Sequence, residues 1–126
     1  MIIGTGIDIV EIARFRKILT GTGERFLMRV FTSEEQRFCL ARRDPAPHFA
    51  ARFAAKEAVF KALGTGWSKG VTWLDVEVWR NEHDAPIILL HDTTSEIASL
   101  KGVARIHISL THTDAWAAAT AILEQA

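Results

Sequence analysis

The sequence predicts a single α+β domain with hairpins in its C-terminal half. Helical spacings dominate the first half of the chain, alternating apolar and polar residues dominate the second, and no linker, repeat or low-complexity segment separates them. A chain of 126 residues can bury a modest core, and a hydrophobic content of 48% is typical of a globular protein. We therefore predict one domain over residues 1–126.

The first half combines one strand with several helices. Residues 2–10 are apolar and rich in β-formers, whereas residues 11–19 carry apolar side chains at helical spacing. A capping-box pattern at 32–35 opens another helix, and two prolines precede a longer one that glycine ends. The predicted elements are a strand over 2–10, helices over 11–19, 32–41 and 48–63, and a glycine-rich loop over 64–70.

The second half is mainly strands. Residues 73–79 alternate three apolar side chains with Asp75 and Glu77, a pattern that indicates a half-buried strand. A second capping-box pattern, at 93–96, opens a short helix that ends at Gly102. The predicted elements are strands over 73–79, 87–91, 103–110 and 115–123, the helix from 93, and turns over 81–86 and 111–114.

The long helix over 48–63 carries charges where a surface helix would not. Its apolar stripe consists of Phe49, Phe53, Phe60 and Leu63. Lys56 projects within that stripe and Glu57 at its edge, so both need partners, because a charge held against apolar surface is costly when unpaired. Glu57 could pair with Lys61 and Lys56 could reach water, which would be a purely structural arrangement. A bound ligand is the alternative.

A second segment favours the ligand. Asp8 lies near the end of the first predicted strand, where it either caps the following helix or acts in a site. Asp8 and Glu57 together could hold Mg²⁺, which typically takes one or two protein carboxylates and fills its other positions with water and phosphate oxygens. Arg52, Lys56 and Lys61 would then suit a phosphate or pyrophosphate.

Composition excludes several classes of protein. The 15 basic and 15 acidic residues balance, which argues against a nucleic-acid-binding protein. Cys39 is the single cysteine, so no internal disulfide can form. The first residues lack the pattern of a signal peptide, and no apolar run is long enough to span a membrane. We expect a cytoplasmic protein that binds neither nucleic acid nor membrane.

Three motifs carry a resemblance to a known family. They are Gly6-Ile7-Asp8-Ile9-Val10-Glu11, Arg52-Phe53-Ala54-Ala55-Lys56-Glu57-Ala58 and Ser109-Leu110-Thr111-His112-Thr113. In this order and over its whole length, the chain resembles holo-acyl-carrier-protein synthase, the small bacterial type of 4'-phosphopantetheinyl transferase. The resemblance implies an antiparallel sheet packed against a long helix, and a homotrimer with its sites at subunit interfaces.

The resemblance also implies a reaction in fatty acid biosynthesis. The family transfers 4'-phosphopantetheine from coenzyme A to a serine of apo acyl carrier protein and releases adenosine 3',5'-bisphosphate. Asp8, Glu57 and Lys61 would be catalytic: the two carboxylates would hold magnesium, and Lys61 would neutralise or protonate the leaving oxygen. Either Glu57 or a water on the metal would take the serine proton. The implied coenzyme A contacts are Arg52, Lys61, Gly64 and, from a neighbouring subunit, Ser109, His112 and Thr113.

A local basic patch points to an acidic partner. Residues 11–30 carry five basic side chains against Glu11 and Glu24, although the whole chain is neutral. Acyl carrier proteins are acidic, and complementary charge speeds encounter and fixes orientation. Arg14, which matches a family position, and Arg25 are the predicted carrier contacts. For Arg16 and Lys17 a solvated helix face is an equal alternative.

Two other functions compete with this interpretation. A metal-dependent nuclease could use Asp75 and Glu77, but the predicted strand supplies no neighbouring lysine and the neutral charge disfavours nucleic acid. A non-enzymatic oligomeric module would use Lys56 and Glu57 as structural ion-pair members. Neither alternative predicts magnesium-dependent binding of coenzyme A.

Overall fold

The computed structural model describes residues 1–66 and 70–126 and confirms the α+β class. Its elements are β1 (Ile2–Glu11), α1 (Ile12–Thr20), α2 (Glu24–Val30), α3 (Ser33–Leu40), α4 (Pro45–Leu63), a short 3₁₀ helix (Trp73–Asp75), β2 (Val76–Arg80), β3 (Pro86–Leu90), α5 (Asp92–Leu100), β4 (Val103–His112) and β5 (Trp116–Gln125). Of the predicted loop over 64–70, residues 67–69 lie outside the described part.

Two antiparallel sheets form the β layer. In the larger sheet β5 is central, with β1 and β4 as its edges, and β2 and β3 form a separate hairpin. Helix α4 packs across one face of the larger sheet, mainly against β1 and β5. The predicted antiparallel sheet against a long helix is therefore confirmed. No helix in the described part of the chain is long and apolar enough to cross a membrane.

Two glycines let β1 lie directly on α4. A Cβ atom at Gly6 would overlap the carbonyl oxygen of Ala58, and one at Gly4 would overlap that of Ala62. Strand and helix backbones are thus closer than any side chain between them would allow. Because alternate residues of a strand share a face, Asp8 projects on the same side as these glycines.

Helix α4 is the centre of the core. The predicted apolar stripe is buried, and so are five neighbouring alanines, because the sheet covers one side of the helix while α1, α3 and β2 cover others. The helix begins three residues earlier than predicted, since proline is well tolerated in a first helical turn. It ends at Gly64, which adopts the left-handed conformation with φ of 71°.

The predicted strand over 73–79 is wrong in its first three residues. Trp73–Asp75 form a 3₁₀ turn in which the Asp75 carboxylate accepts a hydrogen bond from the Thr72 backbone N–H at 3.4 Å. The same carboxylate accepts the Thr94 hydroxyl proton at 2.8 Å. These bonds draw Asp75 inward, and Glu77 is buried as well, so the segment is not half-exposed.

The capping patterns have opposite outcomes. Thr32 accepts a hydrogen bond from the Glu35 N–H at 3.2 Å, which confirms the predicted start of α3. The predicted capping box at 93–96 is wrong, because α5 already begins at Asp92 and Thr94 bonds to Asp75 instead. Helix α2 was not predicted; its seven residues have no side-chain cap.

We expect Gly6→Ala to destabilise the fold strongly. Overpacking of a close contact typically costs about 1–3 kcal/mol, and here the obstacle is backbone that cannot rotate away. Chemical denaturation should show a lower free energy of unfolding than for Thr5→Ala, which changes the opposite face of β1. A Gly6→Ala variant as stable as the parent would show that strand and helix are not held at this distance.

Candidate active site

Asp8 on β1 meets Lys61 on α4. The Lys61 ammonium lies 2.9 Å from Asp8 Oδ1 and also donates to the Ile7 carbonyl oxygen at 3.0 Å. The glycine contacts explain this meeting, because they bring β1 close enough for an adjacent carboxylate to reach the last turns of the helix. Lys61 thus forms its ion pair with Asp8, not with Glu57 as the structural alternative proposed.

Glu57 shares this region. Burial raises the pKa of Glu57, and the negative charge of Asp8 raises it further, while Lys61 and Arg14 act in the opposite direction. The two carboxylates therefore lie close enough to repel each other, with two cations beside them. Asp8, Glu57 and Lys61, the three residues predicted to be catalytic, converge at one place.

The two carboxylates fit magnesium. They supply hard oxygen ligands, and Mg²⁺ is usually bound by one or two carboxylates together with water and substrate phosphates. Within residues 1–66 and 70–126, no group of three or more His, Cys, Asp or Glu side chains could hold a metal ion. A cation held by Asp8 and Glu57 would therefore need further ligands beyond the described residues, as water and a substrate pyrophosphate can provide.

Arg14 connects the α1 surface with this cluster. Its guanidinium lies over two aromatic rings, 5.0 Å from the centroid of Phe53 and 5.9 Å from that of Phe26. Arg25 is exposed on α2, one residue before Phe26. Arg16, by contrast, forms a two-point ion pair with Asp44, at 2.8 and 2.9 Å, and is engaged within the fold.

Lys56 lies away from the carboxylate cluster. Its side chain is fully buried, and its ammonium pairs with Glu35 of α3 at 2.8 Å. The structural interpretation is therefore correct for Lys56, and contact with a phosphate is not. This partner could not be predicted from the sequence, because a glutamate in a capping box is ordinarily solvated.

Arg52 lies in the N-terminal half of α4, and His112 is the last residue of β4. Arg52 is buried, stacks on the Phe38 ring at 4.1 Å and donates to the His48 carbonyl oxygen at 3.4 Å. Its Nε has no hydrogen-bond partner, and no carboxylate of the described residues lies within ion-pair distance. The His48 ring lies 5.9 Å from the His112 ring. Burial lowers the pKa of His48, and the charge of Arg52 lowers it further.

The remaining predicted contacts are dispersed. Ser109 pairs with Thr120 on the sheet face opposite α4, and the Thr113 N–H donates to the Trp116 carbonyl oxygen at 2.8 Å in the β4–β5 turn. Gly64 ends α4, three residues after Lys61. The Asp8 and His112 strand positions lie two strand spacings and two residues apart in the sheet, a distance of roughly 12 Å. One chain does not gather the whole predicted set.

The carboxylates proposed for a nuclease serve the fold. Asp75 is bonded to Thr72 and Thr94, as described above. Glu77 accepts a hydrogen bond from the Thr32 hydroxyl at 2.6 Å, and its other oxygen lies 2.9 Å from His91 Nε2. With both side chains engaged in the fold, they do not provide the metal site that a nuclease would need.

Comparison with known proteins identifies the family of this chain. A curated relative from Koribacter versatilis, a holo-[acyl-carrier-protein] synthase, is 46% identical over 98% of this chain and 99% of its own. A synthase structure from Neisseria meningitidis superposes with a TM-score of 0.89 at 29% identity, covering 99% of this chain and 100% of its own. A synthase structure from Bacillus anthracis, in complex with CoA (3',5'-ADP), superposes with a TM-score of 0.81 at 34% identity. It covers 100% of this chain and 99% of its own. The family model of the 4'-phosphopantetheinyl transferase superfamily matches residues 4–121, and this chain belongs to that family.

Proposed function

We propose that this chain is a single-domain, magnesium-dependent holo-acyl-carrier-protein synthase of fatty acid biosynthesis. It would transfer 4'-phosphopantetheine from coenzyme A to a serine of apo acyl carrier protein. The observation that carries the proposal is the convergence of Asp8, Glu57 and Lys61, which joins a pair of carboxylates to an ammonium group. The relatives' names and the family match support the same activity.

The cluster suits phosphoryl-type transfer. The serine hydroxyl would give its proton to Glu57 or to a water, and its oxygen would attack the phosphorus that carries pantetheine. The bond from that phosphorus to the bridging oxygen would break, and adenosine 3',5'-bisphosphate would leave. Asp8 and Glu57 would hold magnesium, which supplies positive charge to the pyrophosphate. Lys61 would stabilise or protonate the leaving oxygen. To do so, its ammonium group must move from Asp8 toward the phosphate.

Arg52 and His112 would hold the nucleotide end of coenzyme A. A buried guanidinium without a carboxylate partner suits a phosphate, and His112 lies near it through His48. Gly64 would line the same substrate from the end of α4, and Thr113 from the β4–β5 turn. We infer that Ser109, His112 and Thr113 serve the carboxylate cluster of a neighbouring subunit, because they lie at or beyond the opposite edge of their own sheet.

An exposed apolar face supports a homotrimer. The sheet face turned away from α4 carries Ile7, Ile9 and Trp116, which are 65%, 62% and 46% exposed. Contiguous apolar surface of this kind usually marks an interface. Ser109 lies on the same face, in one row with Thr120 and Ile7. A neighbouring subunit packed there would cover the apolar residues and bring Ser109 to a shared site.

Arg14 and Arg25 would bind the carrier. Arg14 stands between the α1 surface and Glu57, so an acidic group bound there would place its chain close to the carboxylate cluster. Arg25 adds a second exposed charge beyond Phe26. Arg16 is a weaker candidate, because binding a carrier would require it to leave Asp44.

We expect an apo acyl carrier protein to gain the mass of one phosphopantetheine group when incubated with this chain, coenzyme A and magnesium. A chelator should abolish the gain, because without magnesium the two carboxylates face the pyrophosphate with no cation between them to offset the negative charge. Intact-mass spectrometry measures both effects. If several apo carriers fail to gain mass while the protein is folded, the proposed activity is wrong.

In the same assay, Asp8→Asn and Glu57→Gln should each reduce the rate by roughly 100-fold or more. Losing one group that stabilises charge in a transition state typically has an effect of this size. Both variants should keep the parent's circular dichroism spectrum. Glu96→Gln, which changes an exposed carboxylate on α5, is the matched control and should leave the rate unaltered. Near-normal turnover by either site variant would refute the metal assignment.

Mixed subunits should reveal shared sites. Asp8→Ala and His112→Ala proteins should each be inactive alone, yet a mixture refolded together should recover part of the activity, because some interfaces then combine an intact Asp8 with an intact His112. Turnover after co-refolding, compared with unmixed samples, measures this. No recovery from trimers that native mass spectrometry shows to be mixed would contradict a site divided between subunits.

Arg14→Glu should weaken binding of apo carrier by at least roughly tenfold, because it replaces a charge that steers and orients an acidic partner with a repulsive one. Coenzyme A affinity should change far less, and calorimetry can measure both. Lys101→Glu, the same charge reversal after α5, should leave carrier binding intact. Equal losses for carrier and coenzyme A would exclude a docking role for Arg14.

A further inference from the structure

Lys56 has a complete set of buried partners. Its ammonium donates to Glu35 Oε1 at 2.8 Å, to the Trp73 carbonyl oxygen at 3.1 Å and to the Val76 carbonyl oxygen. These acceptors lie on α3, on the 3₁₀ helix and at the start of β2. An ammonium group has three protons, so every donor of Lys56 is used.

Glu35 is equally well satisfied. Beyond Lys56, it accepts hydrogen bonds from the Thr32 N–H at 2.9 Å and from the Val78 N–H at 2.8 Å. Its side chain is fully buried, as is that of Lys56. The pair therefore joins α4 to three other elements through directional bonds, and any displacement of Lys56 would leave the buried Glu35 carboxylate without its cation.

Hydrophobic burial alone gives α4 little rotational preference. The helix is buried on most of its circumference, so it has no clear contrast between an apolar and a polar face. Specific contacts supply that preference: Phe53 packs against α1 and the 3₁₀ helix, and Ala58 meets Gly6 of β1. The ion pair between Lys56 and Glu35 adds directional bonds to these shape contacts.

We propose that Lys56 is a positioning residue: its buried pair with Glu35 fixes the rotation of α4, so that Glu57 and Lys61 face Asp8. Consecutive helical residues diverge by about 100°, and holding Lys56 toward the 3₁₀ helix therefore holds Glu57 toward β1. The inference rests on the proposed function for its effect on catalysis. Its structural part, the orientation of Lys61 toward Asp8, can be tested without any activity.

The experiment compares a double variant with the parent. Lys56→Met combined with Glu35→Gln removes both charges, and glutamine can retain the capping bond to Thr32. Replacing a buried ion pair by neutral groups is often close to neutral for stability, whereas Lys56→Met alone leaves Glu35 unpaired. We expect the double variant to melt near the parent and the single variant to melt well below it.

Activity and geometry should nevertheless fail in the double variant. A small misplacement of catalytic groups can cost about 100-fold in kcat, whereas KM for coenzyme A should change little. A crystal structure should show α4 rotated and the pair between Lys61 and Asp8 broken. Thr94→Val is the control: it removes a buried hydrogen bond to Asp75 away from α4, and should lower the melting temperature without changing kcat.

The outcomes separate this inference from the proposed function. A double variant that keeps the Lys61–Asp8 pair and the parent's kcat would show that Lys56 contributes stability alone. If the double variant does not fold, the single variant Glu35→Gln is the test. It removes the charge of Glu35 but keeps the hydrogen bonds from Lys56 to the two carbonyl oxygens. An unchanged kcat in this variant would overturn the proposal. A parent that transfers no phosphopantetheine would refute the proposed function, and the crystal structures would still decide whether Lys56 orients α4.

Discussion

The close contact between β1 and α4 is the constraint on which the rest of the structure depends. Gly4 and Gly6 allow strand and helix backbones to meet without intervening side chains. That distance places a carboxylate two residues further along β1 within reach of a lysine on the helix. A larger residue at either glycine would separate the layers and the two halves of the candidate site together, so fold stability and site geometry depend on the same contact.

The two ends of α4 have different electrostatic characters. Near its C-terminal half, two carboxylates are offset by Lys61 and Arg14. In its N-terminal half, Arg52 is buried, and no carboxylate of the described residues lies within ion-pair distance of it. Under the proposed function, the separate phosphates of coenzyme A would match this distribution. Between these ends the Lys56–Glu35 pair faces inward, so a single helix carries groups for chemistry, for binding and for orientation on different sides.

Much of this arrangement can be predicted from the sequence, because local patterns dominate it. The long helix follows from composition and its terminal glycine, β1 follows from its β-forming residues, and β4 follows from alternation. The predicted strand at Asp75 is wrong, because this residue bonds to Thr94, 19 residues away, and the segment forms a 3₁₀ turn instead. The pairing of Lys56 could not be predicted either, because Glu35 is 21 residues away and belongs to a capping motif that is usually solvated. The roles of Ser109 and Thr113 come from family resemblance, not from spacing.

The ion pair between Lys61 and Asp8 has a consequence for how metal and protein combine. The chain provides its own counter-charges for the two carboxylates, Lys61 beside Asp8 and Arg14 beside Glu57, so the repulsion between them is already moderated inside the folded protein. Under the proposed function, Asp8 and Glu57 would take up magnesium together with the pyrophosphate of coenzyme A, so the ion would belong to the substrate and not to the resting protein.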